Sequence, residues 1–295
     1  MAAAGAGLIV EGVLRAHRVT FTALAGEWKG IVLKNPDNKE RSLIKHCLIE
    51  KAQTAILITS SSPDVINNTI RKNQYGLITE RTGASPNIVN NLITENQHIG
   101  VGCFPNSLAH VTGNTITKNR AGVKMGWSSS LIARNNIMDN ELGIDMNFSS
   151  PHVVENAITN NSIAIQSQQE SAPLVLENVI LSNGVNLRNT DLNITVVAQY
   201  NWWGTTDQAQ ITRTLEGKIL ILPFLSQPPE WFNPGPGLRE ANKINRRSKK
   251  SYRRSGPAAD QSRFRDRAYM SWLDGWHKFW HRQPQRATGN SLGQS

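Results

Sequence analysis

Cysteine, aromatic residues and long apolar runs are all scarce in this chain of 295 residues. The two cysteines, Cys47 and Cys103, fall at different positions of the repeat described below, so we expect no disulfide between them. No run of about 18 apolar residues occurs, which excludes a membrane-spanning helix. The N-terminal segment also lacks the basic region and apolar core of a signal peptide.

The formal net charge is +10, but most of the chain carries no excess of positive charge. Residues 231–295 hold 14 of the 32 basic and 4 of the 22 acidic residues, which leaves 18 of each sign in residues 1–230. The first 230 residues are therefore formally neutral. Their composition gives no argument for nucleic-acid binding, and the basic character belongs to the C-terminal tail.

One phrase, Asn-x-Ile-x-x-Asn-x-x-Gly-apolar, recurs along the middle of the chain. Its leading asparagines follow one another at intervals of 21 to 23 residues, and His46 is assigned to the step before the first. In the first six copies an Ile stands two residues after the leading Asn and a second Asn five residues after it. The leading asparagines are Asn68, Asn91, Asn114, Asn135, Asn156, Asn178 and Asn201. A fixed period in this range indicates a repeat architecture.

The residues of the repeat favour short strands over helices. Asn, Gly, Ile, Val and Thr are weak helix formers, whereas β-branched segments broken by Asn and Gly are typical of strands and turns. We predict an all-β chain, a right-handed parallel β-helix with coils of about 22 residues. Its Ile and Val would stack inward. Each Asn would tolerate a left-handed turn, donate to the coil on one side and accept from the coil on the other.

The phrase resembles the repeat of the right-handed β-helix (pectin-lyase-like) superfamily, and more narrowly that of its NosD-like proteins. The stretches Gly-Glu-Trp-Lys-Gly-Ile at 26–31 and Asn-Trp-Trp-Gly-Thr-Thr-Asp at 201–207 add to the resemblance, which covers about residues 8–228. It implies an extracellular or periplasmic protein. Superfamily members include polysaccharide lyases, hydrolases and epimerases, and proteins without a known reaction, so the resemblance is specific for fold and not for function. No cap helix precedes Leu8, and we expect the chain to begin inside a longer protein.

The predicted β-helix domain spans residues 1–228, with a closing segment at 201–228. Trp203 falls in the inward Ile position and is large enough to fill the end of the core. Asp207 and Gln210 have the spacing of a capping box, which predicts a short helix over 208–216 with Ile211 and Leu215 facing inward. A last strand is predicted over 219–224.

Residues 229–295 are predicted to be a basic, partly disordered tail that begins with a Pro- and Gly-rich linker. Aromatic residues at helical spacing predict an amphipathic helix over 266–282. Such a helix could contact an anionic membrane, a nucleic acid or the end of the β-helix. A poorly structured extension without a partner is the alternative.

Candidate site residues lie in outward positions of neighbouring coils. Lys124 and Asp145 stand ten residues after their leading asparagines and are the candidate catalytic pair. Trp127 and Phe148, three residues further on, could give a sugar ring a stacking surface. Arg188, from the same position as Asp145 two coils on, and His152 are further candidate ligand-binding residues.

Several features of known catalytic sites are missing from the sequence. No second carboxylate stands beside Asp145 to complete a hydrolase pair, and no acidic cluster suits Ca²⁺. His110 and His152 lie two coils apart, roughly 9–10 Å at the spacing of β-strands, which is too far for one metal ion. We therefore predict no metal and no cofactor. An ordinary surface ion pair is the alternative interpretation of Lys124 and Asp145.

Two functions remain in view. The first is a β-helix without catalytic activity that presents a rigid surface to a polysaccharide or glycoconjugate. The second is a polysaccharide lyase or epimerase that acts near Lys124 and Asp145. The missing paired acids and Ca²⁺ cluster favour the first, as does the near-constant coil length, which predicts no deep cleft.

Overall fold

Strands of two to six residues and tight turns between them build nearly the whole described chain. The computed structural model describes residues 5–35, 40–80 and 84–232, which form a right-handed parallel β-helix. The fold predicted from the repeat is confirmed. The predicted tail, with its helix over 266–282, lies outside the described residues beyond 232.

The elements, in chain order, are β1 (Gly7–Val10), β2 (Arg15–His17), β3 (Thr20–Phe21), β4 (Gly30–Lys34), β5 (Leu43–Lys45), β6 (Leu48–Glu50), β7 (Thr54–Thr59), β8 (Asp64–Ile66), β9 (Thr69–Arg71), β10 (Tyr75–Glu80), β11 (Asn87–Val89), β12 (Leu92–Thr94), β13 (Ile99–Cys103), β14 (His110–Thr112), β15 (Thr115–Thr117), β16 (Ala121–Gly126), β17 (Leu131–Ala133), β18 (Asn136–Met138), β19 (Leu142–Asn147), β20 (His152–Val154), β21 (Ala157–Thr159), β22 (Ile163–Gln168), β23 (Leu174–Leu176), β24 (Val179–Leu181), β25 (Val185–Asn189), β26 (Val196–Val197), α1 (Gln208–Thr212), β27 (Leu215–Glu216) and β28 (Ile219–Leu220).

Each full coil contributes one strand to each of three parallel sheets. Sheet A holds the longest strands, in the order β1-β4-β7-β10-β13-β16-β19-β22-β25-β27. Sheet B runs β2-β5-β8-β11-β14-β17-β20-β23-β26-β28, and sheet C contains β3-β6-β9-β12-β15-β18-β21-β24. Every strand therefore pairs with its copies in the coils before and after it, as the repeat requires.

The core is a file of branched aliphatic side chains between the three sheets. The Ile column of sheet C and the Val and Ile column of sheet B are completely buried, as predicted. Fully burying one such side chain stabilises the fold by about 1.5–3 kcal/mol. The sheet C column consists of Ile49, Ile70, Ile93, Ile116, Ile137, Ile158 and Ile180.

Two asparagine ladders hold the turns on either side of sheet C. In the first, Asn91 accepts through Oδ1 from the backbone N–H of Asn68 at 2.8 Å and from its Nδ2 at 3.0 Å. Asn91 then donates from Nδ2 to the Val65 carbonyl at 2.9 Å. The pattern repeats from Asn68 to Asn201, and a second ladder connects Asn73, Asn96, Asn119, Asn140, Asn161 and Asn183. The amides therefore satisfy turn N–H groups that the strands cannot reach.

Two details of the predicted ladder are wrong. The left-handed conformation belongs to the residue before each leading Asn, such as Asn90 at φ 55°, and not to the leading Asn. The step before Asn68 is occupied by Cys47 and not by His46, because Leu48 pairs with Thr69 and sets that coil at 21 residues. His46 instead takes the left-handed position, at φ 55°.

The third corner, between sheets A and B, uses buried serines. Ser128 donates its backbone N–H to Ser149 Oγ at 3.2 Å, and Ser149 donates its own to Ser171 Oγ at 3.1 Å. The sequence analysis did not identify this ladder. Its members lie in Ser-rich stretches of unequal length, so they do not share one position of the Asn-based repeat.

The closing segment confirms the prediction for Trp203 and shortens the elements after it. Trp203 is buried in the end of the core. Helix α1 begins after its N-cap Asp207, but it ends at Thr212 because Leu215 pairs with Leu187 in sheet A. The last strand, β28, covers Ile219–Leu220 and not the whole of 219–224.

The N-terminal end of the β-helix exposes apolar side chains of its first coil. Leu8, Ile9, Val13 and Val19 are 37–60% exposed. Both cysteines are buried, and neither forms a disulfide. In the described part of the chain, no helix is long and apolar enough to span a membrane.

Candidate functional site

The outward side chains of sheet A change character along the solenoid axis. The column that begins with Val32, Leu57 and Ile78 is apolar in the first coils. From β16 onward the same column becomes polar, and it reads Lys124, Asp145, Gln166, Arg188 and Glu216. We call the outward surface of β16, β19, β22, β25 and β27 the polar face.

Asp145 lies at the centre of this face and is only 2% exposed. Its Oδ2 accepts from Lys124 Nζ at 2.7 Å, and its Oδ1 accepts from Gln168 Nε2 at 2.9 Å and from Gln166 Nε2 at 3.3 Å. Lys124 keeps 37% of its side chain exposed. The predicted proximity of Lys124 and Asp145 is confirmed, but an exposed surface pair is the wrong description, because the carboxylate is buried under its three donors.

A pair of aromatic rings flanks this cluster where β16 and β19 end. Trp127 and Phe148 stack with ring centroids 4.8 Å apart and planes 10° apart. Trp127 is 59% exposed, so much of its surface faces solvent. Both residues take left-handed backbone conformations, at φ 51° and 47°, which turn the chain sharply out of sheet A and carry the rings to its rim.

A third ring borders the polar face on its N-terminal side. A Cβ placed on Gly102 would lie 2.7 Å from Cε2 of Phe104, so this ring covers the glycine directly opposite Lys124. Phe104 therefore separates the apolar and polar halves of the column. The sequence analysis missed it because Phe104 and Pro105 interrupt the repeat.

Arg188 lies in the same column as Asp145, on the far side of Gln166. It contacts Glu216, with Nη2 donating to Oε1 at 3.1 Å. These hydrogen bonds raise the pKa of Arg188 and lower the pKa of Glu216. The structure thus places Arg188 on the predicted surface but gives it a partner from the closing segment.

His152 does not join this cluster. It lies in β20 of sheet B, in the column of Asp64, Asn87 and His110. Desolvation lowers the pKa of His152, which favours the neutral ring. The prediction that His152 shares a site with Lys124 and Asp145 has no support in the arrangement of the sheets.

No group of three or more metal-binding side chains occurs among residues 5–35, 40–80 and 84–232. Two concavities of the described chain lie away from the polar face. One borders α1 and the other lies at the N-terminal end, near Phe21 and Trp28. No residue of the polar face lines either concavity.

The family model described as right handed beta helix region matches residues 17–138 and 83–199, which together cover more than half of the 295 residues. The chain belongs to the right-handed β-helix family. No curated protein and no solved structure matches the chain. Its membership is thus shown by the repeat and the fold, and its function has to be argued from its own surface.

Two contributors to the polar face were recognisable in the sequence only in part. Gln166 lies one coil period after Asp145 and therefore shares its column, but the spacing does not reveal its hydrogen bond to the carboxylate. Gln168 was missed, although it lies in the neighbouring outward column, as the Cα partner of Asn147. Side-chain length explains both, since a glutamine reaches across the strand spacing to the next coil.

Proposed function

We propose that this β-helix is a glycan-contacting protein without catalytic activity, and that its binding surface is the polar face with its aromatic rim. The observation that carries the proposal is the exposed Trp127 ring, stacked on Phe148, at the edge of a sheet whose next two strands carry the amides of Asn147, Gln166 and Gln168. An indole ring offers a flat apolar face that suits the C–H face of a sugar, while neighbouring amides can both donate to and accept from hydroxyl groups.

The rigidity of the polar face supports a role in binding. The polar face rests on five strands of one parallel sheet, and the side chains beneath it are buried in the core. A polymer bound along the solenoid axis would meet a preorganised row of groups, which reduces the entropy cost of binding.

The state of Asp145 supports binding over catalysis. A general base must reach the substrate proton with a free lone pair, and an acid must hold a proton to give. Asp145 instead accepts three hydrogen bonds and is nearly inaccessible to solvent. Its carboxylate is better suited to orienting Lys124, Gln166 and Gln168 than to proton transfer.

The test compares two exposed tryptophans that are matched in setting. Trp127→Ala removes the exposed ring of the Trp127–Phe148 stack, whereas Trp231→Ala removes a ring that is 45% exposed and meets Phe232 edge-on, just beyond the closing segment. In affinity electrophoresis against a panel of polysaccharides, we expect Trp127→Ala to weaken retardation by about tenfold or more, as for the loss of an interface anchor. Trp231→Ala should leave it unchanged. Equal retardation of both variants would refute the proposal.

A lyase or epimerase acting at Lys124 and Asp145 remains the second candidate. The observation in its favour is the partly exposed Lys124 ammonium, a group that can neutralise a uronate carboxylate. Incubation of the full chain with polygalacturonate and alginate tests it, with unsaturated products followed by ultraviolet absorbance and epimerisation by NMR. Turnover that Asp145→Ala abolishes would replace the binding proposal.

An extracellular or periplasmic location belongs to this proposal, because a glycan ligand of this kind is met outside the cytoplasm. Fractionation of cells that produce the full chain tests the location. The predicted contact of the tail with an anionic membrane or a nucleic acid stays a prediction. Deleting residues 231–295 tests it, since unchanged localisation and binding would remove the tail from the account.

A further inference from the structure

The charges of the polar face cancel pair by pair. Its five strands contain four charged residues, Lys124, Asp145, Arg188 and Glu216. Lys124 is bound to Asp145, and Arg188 is bound to Glu216. No cation in these strands is left without a carboxylate. An anionic ligand would therefore have to displace an existing partner or bind against a neutral surface.

The residues just beyond the rim add negative charge. Glu170 and Asp191 follow β22 and β25 at the corner where Trp127 and Phe148 follow β16 and β19. The Glu170 backbone N–H donates to Asp191 Oδ2 at 2.8 Å, so the two acidic residues stand together on adjacent coils. The Lys218 charge acts on Asp191 and offsets part of this charge, but the three residues together keep a net negative charge, which disfavours carboxylate or sulfate groups on a ligand.

Asp145 also fixes the polarity of the amides that a ligand would meet. A carboxylate only accepts hydrogen bonds, so both Gln166 and Gln168 turn their NH₂ groups toward it. The carbonyl oxygen of a primary amide lies on the other arm of the planar group, and both oxygens are thereby directed away from Asp145. The amide oxygens beside the buried carboxylate are acceptors, and they match the hydroxyl donors of a sugar while repelling a carboxylate.

We infer that the ligand of the polar face is an uncharged glycan, recognised by its hydroxyl groups and by stacking on Trp127. The inference rests on the proposed function and names its ligand class. It also separates this surface from uronate-processing chemistry, in which an unpaired cation has to meet the substrate carboxylate.

Matched polymers that differ in charge alone provide the experiment. Polygalacturonate, mannuronan and glucuronan are each compared with their carboxyl-reduced forms, which keep the sugar configuration and linkage of the parent polymer. The full chain is run in affinity electrophoresis at physiological ionic strength, where attraction between the basic tail and an acidic polymer is screened. We expect at least one reduced polymer to bind about tenfold tighter than its acidic parent, a difference of about 1.4 kcal/mol.

Charge variants test the stated cause. Asp145→Asn leaves Lys124 without its carboxylate and lets the two glutamine amides rotate, so the preference for the neutral polymer should shrink severalfold. Glu216→Gln removes the carboxylate that pairs with Arg188 and should likewise reduce the preference for the neutral polymer. Because Glu216 is exposed, this variant still tests the inference if Asp145→Asn misfolds. Glu155→Gln removes an equivalent carboxylate paired with Arg134 at the turn between sheets B and C, and should change nothing.

The outcomes separate the inference from the proposal beneath it. If an acidic parent binds more tightly than its reduced form and Trp127→Ala abolishes that binding, the inference of a neutral ligand is wrong. The proposal of a glycan-binding surface then still stands. Failure of all six polymers to bind removes the glycan surface and the inference with it. A neutral preference that Asp145→Asn and Glu216→Gln both leave intact overturns the electrostatic cause.

Discussion

Replacing Asn114 by alanine should expose how much one rung of an asparagine ladder contributes to the fold. Asn114 Oδ1 accepts from the backbone N–H of Asn91 at 2.9 Å and from its Nδ2 at 3.0 Å. Asn114 Nδ2 donates to the Ile88 carbonyl at 2.8 Å and to Asn135 Oδ1 at 3.0 Å. The side chain is 1% exposed, and alanine can replace none of these bonds.

The magnitude follows from what the substitution leaves unsatisfied. The Asn91 N–H lies in a buried turn and loses its acceptor, which costs about 1–3 kcal/mol. The hydrogen bonds that Asn114 itself donates add about 1–2 kcal/mol in total. We therefore expect Asn114→Ala to lower the free energy of unfolding by about 2–5 kcal/mol, a large part of the 5–15 kcal/mol that is typical of a domain.

Two measurements report on this loss. Urea unfolding followed by far-ultraviolet circular dichroism gives the change in the free energy of unfolding. Amide hydrogen exchange gives its location, because opening should become easier at the turn around Asn91 before it does elsewhere. The second measurement stays informative if the solenoid unfolds in more than one step.

Asn136 supplies the control. It lies one residue beyond the next rung, it is exposed, and its side-chain amide donates to Met138 Sδ at 3.3 Å. Its backbone N–H donates to the Asn114 carbonyl, and the alanine substitution keeps that bond. Asn136→Ala should change the free energy of unfolding by no more than about 0.5 kcal/mol. If Asn114→Ala costs no more than this control and leaves exchange at Asn91 unchanged, the ladder does not stabilise the coils in the way described.

Two further predictions concern the end of the core and the half-buried His152. Trp203→Ala should lower the free energy of unfolding, measured in urea, by about 3–5 kcal/mol because it opens a cavity. Trp203→Phe should lower it clearly less, since the buried Trp203 Nε1 has no hydrogen-bond partner among the described residues that the substitution could remove. Equal losses for the two variants would contradict this prediction. His152 should titrate below 6.5 in NMR because burial lowers its pKa, so the unfolded chain binds more protons and stability falls as the pH drops below about 6.5. His152→Gln should flatten that fall, and an unchanged pH profile would exclude the effect.

The repeat alone determined the architecture of this protein. A period of 21 to 23 residues with Asn and Ile at fixed positions can bury its apolar residues only if coils stack in register, so the columns, the three sheets and the ladders followed from spacing. Trp203 and the N-cap Asp207 were identifiable for the same reason, since each continues or ends the pattern.

Features that depend on the exact length of each coil could not be predicted from the sequence. The assignment of His46 failed by one residue because the strand pairing of Leu48 with Thr69, and not the average period, sets the register there. The serine ladder could not be predicted from the sequence, because the turn between sheets A and B varies in length between coils. The predicted length of helix α1 was too great, because the pairing of Leu215 with sheet A prevents the helix from continuing.

For the candidate site, the sequence brought together Lys124 and Asp145, and Trp127 and Phe148, because residues one period apart must be neighbours in a stacked fold. Only the tertiary structure decided that Asp145 is buried, that Gln166 and Gln168 donate to it, and that Arg188 is held by Glu216 from the closing segment. These facts depend on side-chain reach across strands and on the return of the chain after α1. Sequence periodicity specifies which residues share a column, whereas side-chain conformation sets their exposure and hydrogen bonding.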